Sequence, residues 1–124
     1  MKLLDSNLLI YSFDPEYSFL KEIVLDKNNA VSVITQIEVL GFHKISEQEK
    51  LYFEFLFSQL HILDLQHQIV QKAIELRQSK KMDLPDATIA ATALFHDLEL
   101  VTVNIKDFIH IPDLNITNPI DINT

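Results

Sequence analysis

Five oxygen-bearing side chains carry the chemistry that this sequence could perform together: Asp5, Glu38, Asp86, Asn104 and Asp107. They are far apart along the chain, yet each stands where an apolar run gives way to a helical pattern or opens one. Asp5 follows Leu3-Leu4, Glu38 comes just after the second such run, Asp86 heads an alanine-rich segment, and Asn104 and Asp107 follow a late run. In open parallel sheets, functional groups collect at the loops beyond the carboxyl ends of the strands. Carboxylates brought together there repel one another unless a proton or a cation lies between them. Mg²⁺ fits that need, with Mn²⁺ as a substitute, because it takes oxygen ligands, keeps waters, and is held by one or two carboxylates plus a substrate phosphate.

Each position also has a structural explanation. Asp5 or Ser6 can cap a first helix, Thr35-x-x-Glu38 reads as a capping box, Asp86 after Pro85 suits a first helical turn, and Asn104 or Asp107 can shape a turn. Asp83 reads as a solvated loop residue. Capping accounts for any one of these positions; their joint occurrence at strand ends points to a cation. Asp86 also lines up with Ile89, Ala90, Ala93 and Leu94, the stripe expected to face the core. From the head of that stripe it would point toward the sheet edge where Asp5 emerges.

Other chemistries are excluded by what the chain lacks. It has no cysteine, so disulfides and thiolate metal sites are ruled out, as expected of a cytoplasmic protein. Gly41 is the sole glycine, which removes both G-x-G-x-x-G and the P-loop. There is no G-x-S-x-G elbow. Among the five histidines, His61 and His67 lack H-E-x-x-H spacing and His96-Asp97 is an isolated pair. The formal charge of -8, from 18 acidic and 10 basic residues, argues against broad nonspecific nucleic-acid binding. It leaves a carboxylate cluster that needs cations to approach a phosphate, or an acidic surface awaiting a basic partner.

The elements that must position these groups follow from periodicity. With 124 residues, 48% of them hydrophobic, the chain reads as a single domain over 1–124 with its own core. Strands are expected at 3–4, 30–34, 61–65 and 100–103, with a possible edge strand at 115–117. Helices are expected at 6–13, 16–26, from Thr35 through Gly41, and at 46–59, 66–80 and 86–97, with a short turn or helical piece at 105–108. In the helix at 46–59, Leu51, Phe55 and Leu56 mark the apolar stripe, while Phe53 and Phe57 lie off it. A helix apolar on more than one side is a sign of contact with another chain. In the helix at 66–80, Ile69, Val70, Ala73, Ile74 and Arg77 share one side. Strands separated by helices imply an α/β fold with right-handed crossovers. Asp5, Ser6 and Asn7 interrupt the apolar N-terminus, and no apolar run approaches the ~18 residues of a membrane span, so a soluble protein is expected.

Four segments in order resemble the PIN-domain ribonucleases, and within them the VapC-type toxins of bacterial type II toxin–antitoxin pairs. Leu3-Leu4-Asp5-Ser6-Asn7 resembles the family's opening strand, and Ser32 to Val39 its Thr-x-x-Glu segment. Leu84-Pro85-Asp86-Ala87-Thr88-Ile89-Ala90-Ala91-Thr92-Ala93 is very close to the third acidic motif, and Leu100 to Phe108 resembles the fourth. The resemblance spans nearly the whole chain. It implies a PIN-like three-layer α/β/α sandwich around a mostly parallel sheet, with Asp5, Glu38 and Asp86 as the acidic core of a metal site. Asn104 stands where many relatives have aspartate, so either Asn104 or Asp107 completes the set. Val103 sits where an arginine is common.

The implied activity is Mg²⁺-dependent endoribonuclease cleavage, in which a water made more acidic by the cation attacks an RNA phosphodiester. An antitoxin protein and a second copy of the chain are the implied partners. Two rival classes are a PIN-like protein- or RNA-binding module with weak or no catalysis, and an aspartyl-phosphate enzyme using Asp5 as nucleophile. The second usually wants another Asp two residues on, where this chain has Asn7.

Overall fold

The computed structural model describes residues 1–122. Five short strands, β1 (Lys2–Leu4), β2 (Ala30–Ser32), β3 (His61–Leu63), β4 (Glu99–Val101) and β5 (Ile116–Thr117), form one sheet in the order β3-β2-β1-β4-β5. Every pairing is parallel, with Leu3 opposite both Ala30 and Leu100, and Leu4 opposite Val101. Parallel neighbours need crossovers, and here helices supply most of them. These are α1 (Ser6–Phe13), a 3-10 segment (Pro15–Leu20), α2 (Lys21–Val24), α3 (Val33–Leu40), α4 (Glu47–Gln59), α5 (His67–Ser79) and α6 (Leu84–His96), with a second 3-10 turn at Ile105–Asp107 and a final short α7 (Pro119–Ile122).

Side chains alternate across a strand, and the sheet divides its core accordingly. Leu3, Ala30 and Leu100 pack with Ile69, Ala73 and Leu76 of α5 and with Ala87, Ile89, Ala90 and Ala93 of α6. Leu4, Val31 and Val101 face the other way, onto Leu8 and Leu9 of α1, Leu20, Val24 of α2, Val39 of α3, and Phe53, Leu56 and Phe57 of α4. Two helical layers enclose one sheet, the three-layer α/β/α sandwich expected, with the described strands all parallel. Among the described residues, no helix is long and apolar enough to cross a membrane.

Several boundaries differ from the sequence reading, each for a local reason. β2 ends at Ser32, whose hydroxyl accepts the Ile34 amide and caps α3, so the helix begins at Val33 and not at Thr35. Thr35 and Glu38 therefore both lie inside α3 and do not form its capping box. A true capping box opens α4, where Ser46 and Glu49 exchange side-chain and backbone hydrogen bonds. The helix expected at 16–26 is divided: Asp14 accepts the Glu16 amide, Pro15 starts a 3-10 segment, and α2 spans only Lys21–Val24. α6 starts two residues early, because Asp83 is its N-cap and accepts the Asp86 amide at 2.8 Å. Asp83 is thus a capping residue and not a free loop side chain.

The apolar stripes of two helices are also corrected. In α4 the core side carries Phe53, Leu56 and Phe57, while Leu51 and Phe55 are exposed at 61% and 54%. In α5 the buried residues are Ile69, Ala73 and Leu76; Val70, Ile74 and Arg77 are exposed. Both errors have one cause: an outward face that is itself apolar offers a second stripe at the same helical period.

Candidate metal centre and its cleft

β1 is the point where the sheet order turns, since the chain leaves it toward β2 on one side and returns to β4 on the other. Loops diverge there, and the carboxyl ends of β1 and β4 open into a crevice. Asp5 sits at that point. Its amide donates to Val101 O at 2.9 Å, continuing the ladder, and its side chain is 4% exposed. Oδ1 accepts the Ser6 amide at 2.8 Å, so Asp5 does cap α1, and Oδ2 accepts the Thr102 hydroxyl at 2.7 Å. Burial pushes the Asp5 carboxyl above its ordinary range; the Thr102 and Ser6 hydrogen bonds oppose that shift, while Glu38 and Asp107 add to it.

The two residues after Asp5 tie neighbouring elements to the same point. Ser6 Oγ donates to Glu38 Oε1 at 2.6 Å and lies 3.0 Å from Thr35 Oγ1, which joins α1 to α3. Asn7 reaches the segment after β4, with Nδ2 3.5 Å from Thr102 Oγ1 and Oδ1 accepting the Val103 amide at 3.5 Å. Thr102 Oγ1 in turn accepts the Asn104 amide at 3.0 Å. The hydroxyls of Ser6, Thr35 and Thr102 are buried, so their bonds are made out of water's competition. Their polar character at apolar strand ends was the signal in the sequence that could have marked them.

Asp86 is half-buried in the first turn of α6. Burial and the neighbouring carboxylates of Asp83, Asp5, Asp107 and Glu38 push its carboxyl up to about 7. Asp5, Glu38, Asp86 and Asp107 are therefore close enough to act on one another's charge, although they come from β1, α3, α6 and the 3-10 turn after β4. Among the described residues, none of the four is in a salt bridge. Asp107 contributes to the shifts of both Asp5 and Asp86; Asn104 carries no charge and is exposed.

The donor set suits a hard divalent cation: it is all oxygen, it is crowded with negative charge, and among the described residues no Lys or Arg is in a salt bridge with it. Among the described residues, no three His, Asp or Glu side chains are grouped closely enough to hold a metal ion between them.

Asp86 and Asp107 open onto a cleft of about 610 Å³, and the sequence reading did not anticipate its other wall. Arg77, Lys80, Lys81, Lys106 and His110 line it together with Asp83 and Met82. Asp5 and Glu38 are not among its lining residues; Glu38 lines a different, smaller groove with Ile10, Val39 and Phe42. Lys80-Lys81, two residues before the Asp83 cap, is the signal in the sequence that could have revealed the basic wall.

A family model described as the PIN domain matches residues 2–114. No curated protein matches the chain. Among solved structures, a chain of a toxin–antitoxin complex from Klebsiella pneumoniae is 35% identical with a TM-score of 0.79, covering 96% of this chain and 98% of that one. VapBC2 from Rickettsia felis, bound to a DNA fragment from its promoter, is 26% identical with a TM-score of 0.77, covering 94% and 97%. VapBC-1 from nontypeable Haemophilus influenzae is 26% identical with a TM-score of 0.77, covering 94% and 96%. The chain belongs to the PIN-domain family, and within it resembles the VapC-type toxins.

Proposed function

We propose that this chain is a divalent-metal-dependent endoribonuclease and the toxin of a type II toxin–antitoxin pair, acting in the cytoplasm. The observation that carries the reading is Asp86: a half-buried carboxyl in the first turn of α6 at the mouth of the cleft, raised to about 7 amid the charge of four other carboxylates, with no salt bridge among the described residues. Such a group is stable at neutral pH only with a proton or a metal beside it. Asp5 and Asp86 would hold Mg²⁺ or Mn²⁺, with Glu38 and Asp107 orienting its waters and Asn104 at the rim. When bound, the cation supplies charge to offset that growing on the scissile phosphate and lowers the pKa of a nucleophilic water.

The chain's own contribution is positioning. Thr102 and the Ser6 amide fix both oxygens of Asp5, so its remaining lone pairs point in set directions. Ser6 fixes Glu38 in the same way. Asp86 and Asp107 border the cleft through which a phosphodiester can arrive. An antitoxin as partner is supported by the toxin–antitoxin complexes among the similar structures. Exposed Leu51 and Phe55 on α4 and the apolar groove beside Ile10 and Phe42 offer it surface, and a homodimer completes the proposed assembly.

Cleavage of purified cellular RNA, followed on sequencing gels with Mg²⁺, Mn²⁺ or chelator, tests the reading. Cleavage by wild type that chelator stops, and that Asp5→Asn and Asp86→Asn lack, supports it. Equal cleavage by all three proteins marks a contaminant, and no cleavage of any RNA favours the binding module.

A further inference from the structure

The chain carries formal charge -8, yet Arg77, its only arginine, and three of its nine lysines, Lys80, Lys81 and Lys106, converge on one wall of the cleft bordered by Asp86 and Asp107. Three elements contribute: Arg77 comes from α5, Lys80 and Lys81 from the loop before α6, and Lys106 from the 3-10 turn after β4. None of these four is in a salt bridge among the described residues. Arg77 Nε donates to Met82 O at 3.2 Å, which braces the loop bearing the two lysines and leaves its terminal nitrogens uncommitted by that bond. His110 Nε2 is buried, faces no hydrogen-bond partner among the described residues, and belongs to the same lining. A neighbouring groove shares Lys80 and His110; it is also lined by Lys72 and Glu75, which pair with each other at 3.6 Å, so the unpaired cations of the two grooves are confined to the wall of the cleft itself.

We propose that Arg77, Lys80, Lys81 and Lys106 form a track for the phosphates of a single RNA strand on one side of the scissile bond. The proposal rests on the nuclease reading above and adds a side of approach to it. Cations beside a carboxylate cluster normally pair with it; here they remain unpaired across the cleft, the arrangement a polyanion needs if it is to lie next to negative groups without being expelled. Two lysines in sequence give point charges for successive phosphates, and the guanidinium gives a fork. Lys80, Lys81 and Lys106 are positioning residues: they fix where the strand lies and take no part in bond breaking.

The test separates binding from chemistry. Binding of a short fluorescein-labelled single-stranded RNA of random sequence is measured by anisotropy in chelator, against salt concentration. The proteins are wild type, Lys80→Ala/Lys81→Ala/Lys106→Ala, the same three positions changed to Arg, and Lys27→Ala/Lys50→Ala as a control on other surfaces. All these lysines are exposed or on the rim, and thermal melts check that each variant folds. The alanine triple should bind about tenfold or more weakly, with a log–log salt slope shallower by roughly 2, three contacts at ~0.7 each; the arginine triple should restore both, and the control should match wild type. RNA binding by the alanine triple equal to wild type overturns the proposal, as does an equal loss in the control, no binding by wild type, or tighter binding of poly-glutamate than of RNA by the same residues. Asp5→Asn read in the cleavage assay reports on the nuclease reading alone, so RNA that binds here in chelator but is left uncut when Mg²⁺ or Mn²⁺ is supplied refutes that reading and leaves the track standing.

Discussion

Thr102 donates its hydroxyl to Asp5 Oδ2 at 2.7 Å, a bond between residues 97 positions apart that locks the end of β1 to the end of β4. Both partners are buried, and the same threonine oxygen accepts the Asn104 amide. Removing the hydroxyl without changing the shape leaves a buried carboxylate oxygen unpaired. Thr102→Val is expected to cost about 1–3 kcal/mol in urea denaturation and to lower RNA cleavage by about 10–100-fold, as loss of a partner to a metal ligand does. Thr102→Ser, which keeps the hydroxyl, should recover most of the activity. Full cleavage by Thr102→Val would separate Asp5's orientation from function.

The raised Asp86 carboxyl links stability to pH. An ordinary aspartyl group titrates near 3.8, and folding moves this one to about 7, so the folded chain holds the proton more tightly than the unfolded chain. In chelator, stability from this group is full below about pH 4 and is lost as pH rises through 7; Asp5, also raised by burial, acts in the same sense. Asp86→Asn should therefore melt higher than wild type at pH 8, by about 4 °C for roughly 1 kcal/mol after allowing for solvent screening, and the gap should close by pH 4. Thermal melts across that range check it, and an Asn variant less stable than wild type at pH 8 would contradict it.

Two phenylalanines two residues apart on α4 should behave oppositely. Phe53 is 2% exposed and packs with Phe13 and Leu56, whereas Phe55 is 54% exposed. Phe53→Ala is expected to destabilise by about 3–5 kcal/mol through the cavity it leaves, and Phe55→Ala by no more than about 0.5 kcal/mol. Denaturant titrations give both values. If antitoxin docks on this helix, Phe55→Ala weakens that complex while leaving the isolated protein's stability unchanged.

Much of the architecture was legible because it follows from short-range pattern. Alternating strand positions such as Leu3 and Leu4, and the alanine-rich run after Pro85, announce a sheet buried on both faces and a helix packed close to it. Asp5 and Asp107 were legible because they follow β1 and β4, whereas Glu38, inside α3, and Asp86, in the first turn of α6 after α5, stand at no strand end and were named through their resemblance to the PIN family's acidic motifs. What escaped the reading depends on partners distant in sequence or on competition between local signals. Ser32 outcompetes Thr35 as the cap of α3, and an exposed apolar face on α4 mimics a core stripe. The basic wall escaped notice because its residues lie on three elements, and the overall acidity of the chain masks them.

The central claim is that Asp5 and Asp86 jointly hold a divalent cation. Isothermal titration of Mn²⁺ into wild type, Asp5→Asn and Asp86→Asn at pH 8 measures it most directly, with no RNA or partner present. The account predicts a saturable site in wild type that is weakened by at least about tenfold in each variant, since removing even a hydrogen-bond partner of a metal ligand costs about that much. Binding of the same strength in all three proteins would contradict it.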